Sequence, residues 1–276
     1  MKLFKKKLSF FVLMLGILTL ILATGCSKKS AEKKSPTLPS AASLINKNFN
    51  KSIKSGHYTQ TLSSEEMNQT TKANGKFKQN DVTYMDYTIT NKSKTQTEKI
   101  WLTNSTLYLL LQGNHGNWIK NTADGDNFDP DQVTNRFDND TFAAINKAFV
   151  KHAQVKKSGT SSYSVSYSGT NAEIWKALNI LVVDTMNSPG SQNMNIARTI
   201  NSADVQKIKI KYIINKSTKK ISSITYQAAF NINGKYNFTW KQVYDELNEH
   251  NNLKVPTKIQ KNAIDVKTIK KQQSNN

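Results

Sequence analysis

The chain has 276 residues, a formal net charge of +20 and a single cysteine. One thiol excludes an internal disulfide and a thiolate metal cluster, so the folded core must rest on packing and hydrogen bonds. Arginine occurs only at Arg136 and Arg198; the forked contacts that read nucleic acid are nearly absent, and a charge carried by dispersed lysines fits membranes or anionic wall polymers better, with plain solubility as the bland alternative.

Lys2, Lys5, Lys6 and Lys7 form a positive head, and Leu8 to Ala23 is uncharged and rich in Leu, Ile and Phe. That run is shorter than the roughly 20 residues a membrane span wants. Basic head, short apolar core and small-residue exit make residues 1–25 an export signal. Ala23-Thr24-Gly25-Cys26 resembles the bacterial lipoprotein signal, with Ala23 standing where a larger aliphatic residue is usual. The resemblance implies that Cys26 becomes the mature N-terminus, carries a diacylglycerol and holds the protein on the outer leaflet of the cytoplasmic membrane. Two acyl chains anchor stably where one is marginal. The other reading is an ordinary secretory signal beside an incidental cysteine. Residues 26–39 are polar, with lysines at 28, 29, 33 and 34, and form a flexible tether.

From residue 40 the sequence predicts one domain running to 268, followed by a polar tail, 269–276. Pro39 to Ser55 reads as a helix: Ser40 caps it, Ile45, Phe49 and Ile53 share a face, and Gly56 stops it. Strands follow at His57–Ser63, Gly75–Lys78, Val82–Thr90, Thr97–Thr103 and Thr106–Gln112, with turns at Asn80-Asp81 and Asn104-Ser105, and Trp118-Ile119 ends the block. The middle is helical. Asp129-Pro130 starts a short turn of helix to Phe137. A second helix from Asp140 to His152 places Phe142, Ile145, Ala148 and Phe149 on one face. After a strand at Tyr163–Tyr167, Thr170 and Glu173 form a capping box for a third helix reaching Met186, with Ile174, Leu178 and Leu181 along one side. The last third alternates again: Ile208, Ile210, Tyr212 and Ile214 against Lys207, Lys209 and Lys211; then Ile224, Tyr226, Ala228, Phe230 and Ile232; then, past Asn233-Gly234, Tyr236, Phe238 and Trp240. The expected class is α+β, one large curved antiparallel sheet folded around several helices.

Taken in order, "SGHYTQTLS", "IWLTNSTLYLLLQGNHGNWIK", "INKSTKKISSITYQAAFNINGKYNFTW" and the closing "LKVPTKIQKNAID" resemble exported lipoproteins of the LolA and LppX/LprG type, and more narrowly an uncharacterised lipoprotein family of Gram-positive bacteria. The resemblance implies a half-barrel sheet enclosing an apolar cavity for acyl chains. Leu107, Leu109, Leu111, Phe142, Ile145, Phe149, Ile174, Leu178, Tyr226, Phe230, Phe238 and Trp240 are the candidate lining; the same residues equally suit a filled core.

No catalytic or cofactor constellation stands out. The four histidines, His57, His115, His152 and His250, have no partners at metal-ligand spacing, and neither HExxH nor GxSxG occurs. "DGDNFDPD", Asp124 to Asp131, fails as a calcium loop because Gly125 comes too early and the twelfth position is Asn135. The expected function is a non-catalytic, membrane-anchored extracytoplasmic lipoprotein that binds a lipid or similar amphiphile. The alternative is an envelope interaction module with a filled core that binds a protein or anionic wall polymer through its lysine-rich face. A transporter's solute receptor is a weaker third reading, since no parallel βαβ units are visible.

Overall fold

The computed structural model describes residues 38–49, 53–113, 116–122, 137, 139–186 and 199–269. The chain divides into two units, Met1–Leu38 and Pro39–Asn276, and every helix and strand among the described residues belongs to the second.

The second unit opens with helix α1 (Ala41–Phe49), where the Ser40 hydroxyl accepts the Ser43 N–H at 3.1 Å, the cap the sequence predicts. The helix is described as far as Phe49, and β1 (Ser55–Ser64) begins at the residue where the predicted helix would end. Gly56 is therefore not a helix stop. It lies in the strand opposite Phe77, where a Cβ would press on the phenyl ring at 2.9 Å. Next come β2 (Gln69–Lys78), β3 (Val82–Asn91), β4 (Lys94–Thr103), β5 (Thr106–Leu111) and β6 (Ile119–Thr122). Two helices, α2 (Asn139–Phe149) and α3 (Ala172–Met186), flank a hairpin of β7 (Gln154–Ser158) and β8 (Ser162–Gly169). A meander of β9 (Asp204–Asn215), β10 (Ile221–Ile232) and β11 (Tyr236–Asp245) precedes the short α4 (Thr257–Asn262) and β12 (Ile264–Asp265).

The half-barrel is not what forms. The strands make one twelve-stranded sheet in the order β12-β6-β5-β4-β3-β2-β1-β11-β10-β9-β8-β7, and its two margins are not joined to each other. The sheet is open. It is also mixed, because β12 runs parallel to β6. Closure would require β12 or β6 to pair with β7. The first is two residues long, and β7 carries Lys156 and Lys157, charges of the kind that discourage edge pairing. The two strand blocks are fused by β1 against β11, Leu62 opposite Trp240.

One face of this sheet carries the core. Tyr58, Phe77, Tyr87, Ile100, Ile208, Tyr212, Tyr226, Phe230, Trp240 and Tyr244 all point to it and are buried. The helices pack there. Phe149 of α2 stacks on Tyr212 at 5.3 Å, Phe142 meets the edge of Tyr244 at 5.1 Å, and Trp175 of α3 lies 5.2 Å from Phe230. Thr185 of α3 accepts the Trp240 indole N–H at 2.9 Å. The α3 cap is Asn171, whose Oδ1 accepts the Ile174 N–H at 3.1 Å, rather than the predicted pair of Thr170 and Glu173. Glu173 faces Lys151 instead, at 3.5 Å. The sequence reading also missed β7 and the first half of β2, since "QTTKAN" and "QVKKS" offer too little apolar alternation to read as strands.

Candidate functional site: a lysine-lined trough on the outer face

Strand alternation puts every second residue of the meander on the face opposite the helices. On β9 these are Lys207, Lys209 and Lys211, all exposed. The register then builds a surface around them. Lys209 lies opposite Gln227, which lies opposite Lys241, which lies opposite Thr61. In the next row Lys207, Ala229, Thr239 and Ser63 face one another in turn. Ala229 is short, so the floor dips between the lysine stems. The result is a hollow of about 350 Å³ lined by Thr61, Lys207, Lys209, Gln227, Ala229 and Lys241, among others.

A second hollow of about 530 Å³ shares Lys209 and Gln227 with the first and continues over β8 and β7 past Lys211, Ser166 and Lys156 to His152. The outward residues of β8, Ser162, Ser164, Ser166 and Ser168, supply hydroxyls. Together the two hollows cross six strands, β1-β11-β10-β9-β8-β7, about 24 Å at ordinary strand spacing. Lysines two apart on β9 repeat at roughly 7 Å, and Lys209 and Lys241 are about 10 Å apart across two strands. Among the described residues no carboxylate lines either hollow. Among the described residues, none of Lys156, Lys207, Lys209, Lys211 or Lys241 is in an ion pair. Elsewhere on this face two carboxylates are engaged: Asp245 meets His57 Nδ1 at 2.6 Å, and Asp86 faces Lys99 at 3.8 Å.

Of the described residues singled out from sequence as cavity lining, Trp240 alone borders the trough, and its side chain is buried in the core beneath it. Phe142, Ile145, Phe149, Ile174, Leu178, Tyr226 and Phe230 are wholly buried, and Phe238 and Trp240 nearly so. They belong to one apolar cluster, with Phe230 stacked on Phe238 at 5.4 Å. Leu107 and Leu109 are partly buried against it, and Leu111 is 38% exposed. Cys26, His115 and Asp124–Asp131 lie outside the described residues. His57 is held by Asp245 and by Asn74 at 3.1 Å, His152 by Asn171 at 3.3 Å and His250 by Glu246 at 2.7 Å. No group of three or more potential metal ligands gathers among the described residues. The trough draws on residues 61, 156, 207–211, 227 and 241; the alternating lysines of β9 were the only part of it with a local signal.

Residues 29–264 match a family of unknown function, DUF6612. No curated protein matches the chain. Among solved structures, a hypothetical protein from Chlamydia trachomatis, CT021, is similar at 7% identity and a TM-score of 0.23, over 73% of this chain and 92% of that one. A porin-like protein from Bacteroides uniformis is similar at 10% identity and a TM-score of 0.20, over 69% and 95%. At these scores neither carries an argument about fold or function.

Proposed function

The chain belongs to the DUF6612 family, whose function is unknown, and from that premise we propose that it is a lipid-anchored envelope protein that holds an anionic envelope polymer on the outer face of its sheet, by binding rather than catalysis. The observation that carries this reading is the acid-free trough of five exposed lysines set opposite a packed core. Cys26, acylated as its signal sequence implies, would keep the domain close to the membrane, where the tether lysines add affinity for anionic lipid. The trough is longer than a single small anion needs, and its cations repeat along it. Lysine ammonium groups on flexible stems suit charges spaced along a mobile chain, whereas a planar, fixed anion would favour arginine forks. The carrier reading has less support, because the aromatic and aliphatic residues expected to line a lipid cavity pack on one another and on the helices.

The test is binding of the full chain to a phosphodiester-linked polyol polymer, with a neutral polysaccharide as control, across a salt series. A lysine–phosphate contact at 4 Å is worth about 1 kcal/mol in water. Replacing Lys207, Lys209 and Lys241 by Gln should therefore weaken binding about a hundred-fold at low salt, and less near physiological ionic strength. Equal affinity of the triple variant, or affinity indifferent to salt, would overturn the proposal. The anchor is tested separately by the intact mass of membrane-extracted protein, where an unmodified Cys26 would remove it.

A further inference from the structure

His152 stands exposed at the far end of the trough, and its hydrogen bonding fixes its charge. The Asn171 side chain has one orientation, because its Oδ1 accepts the Ile174 N–H at 3.1 Å as the cap of α3. Its backbone is held as well, by the Tyr167 hydroxyl, which accepts the Asn171 N–H at 2.9 Å. The other end of the amide is Nδ2, a donor only, and it lies 3.3 Å from His152 Nε2. That nitrogen must accept. It therefore carries a lone pair, and the ring is neutral with its one proton on Nδ1. Lysine ammonium groups stay charged throughout the neutral range. Among the described residues that line either hollow, His152 alone is of the type that changes charge between pH 5 and 8.

Opposing fields meet at this ring. The His152 backbone N–H donates to the Phe149 carbonyl at 3.1 Å, just past the C-terminus of α2, where the helix dipole favours a cation. Against it stand Lys156 of β7 and Lys209 and Lys211 of β9, which line the same hollow. From β8 come Ser166, Tyr167 and Ser168, which bring no charge. The remaining charged neighbours, Lys151 beside it in the chain and Glu173 on α3, face each other at 3.5 Å.

An imidazolium has donors on both nitrogens. It cannot keep the bond from Asn171 Nδ2, since two donors would face each other. In the empty trough, protonation loses a hydrogen bond and adds a cation among cations. A phosphodiester in the hollow reverses both effects, because its oxygens accept from the freed Nε2–H and its charge offsets the lysines. Resting on the anionic-polymer reading above, we propose that His152 is the acid-responsive residue of the trough: polymer binding and protonation of this ring are linked, and the trough holds its ligand more tightly as pH falls from 8 to 5.5. By reciprocity, binding draws a proton onto the ring.

The experiment is calorimetric titration of the full chain with the phosphodiester-linked polyol polymer between pH 8 and 5.5, at low and fixed salt. Neither lysine nor a phosphodiester changes charge in this range, so their share of the binding stays constant. One added charge about 4 Å from a phosphate strengthens binding about five-fold in water, and the parent should tighten by about that factor. His152→Gln should bind at the weak limit and His152→Lys at the tight limit, both without pH dependence. At pH 7, buffers of different ionisation enthalpy should reveal proton uptake by the parent and none by either variant. His57→Gln, at a histidine that lines neither hollow, should keep the parent's pH profile. Parent binding indifferent to pH, a pH profile that survives in His152→Gln, or binding without proton uptake would overturn the inference and leave the trough reading standing. No binding of the polymer at any pH would overturn both.

Discussion

Tyr212, Tyr226 and Asn146 form a buried hydrogen-bond chain whose direction can be deduced. The Tyr212 hydroxyl lies 2.7 Å from Asn146 Oδ1 and 2.6 Å from the Tyr226 hydroxyl. A carbonyl oxygen only accepts, so the single Tyr212 proton goes to Asn146 and Tyr226 must donate to Tyr212. The two phenols are therefore not equivalent. Tyr226→Phe removes one donor and leaves Tyr212 still donating, a loss of about 1 kcal/mol. Tyr212→Phe breaks both bonds and orphans Asn146 Oδ1 and the Tyr226 hydroxyl, in a site where the Asn146 Nδ2 already has no partner among the described residues. At about 1–3 kcal/mol for each orphaned atom the loss is about 2–6 kcal/mol. For a domain of this size each kcal/mol moves Tm by about 2–4 °C. Calorimetry or urea unfolding of the two single variants and the double should give a small drop for Tyr226→Phe, a drop at least twice as large for Tyr212→Phe, and a double variant milder than the sum of the two. Tyr226→Phe as damaging as Tyr212→Phe would refute the assigned direction.

The same pair predicts alkaline instability. Burial raises both phenols above their ordinary value of 10.0, so the folded state favours the neutral form; stability is fully present below about pH 10 and falls as pH rises beyond it. Denaturant midpoints measured upward from pH 9 should show this decline, and the double Phe variant should show less of it. Gly75→Ala should destabilise by about 3 kcal/mol, because its Cβ would enter the Tyr84 carbonyl oxygen and the Tyr58 ring; a Tm within a degree of the parent would contradict the close approach of β2 and β3. Asn171→Ala should cost about 1 kcal/mol through loss of the α3 cap, whereas Thr170→Ala should be near neutral in the same urea titration.

Alternation in the sequence determined much of this protein. The faces of β9, β10 and β11 could be read because Ile208, Tyr212, Tyr226, Phe230 and Trp240 recur at the period of a half-buried strand, and a one-residue slip would expose them all. Asn233 and Gly234 announced their hairpin, and both take positive φ, 57° and 67°. The helical faces of α2 and α3 were equally plain. What sequence did not contain was the meeting of distant segments. Pairing of β1 with β11 joins residues more than 170 positions apart, and only that join brings Thr61 beside Lys241 and sets the length of the trough. The open margins depend on edge strands too short or too charged to pair, a property of the assembled sheet rather than of either strand. Gln69, Thr71 and Glu98 read as ordinary polar residues along the chain. Only the strand register turned them to the buried face, where each keeps a polar atom with no hydrogen-bond partner among the described residues.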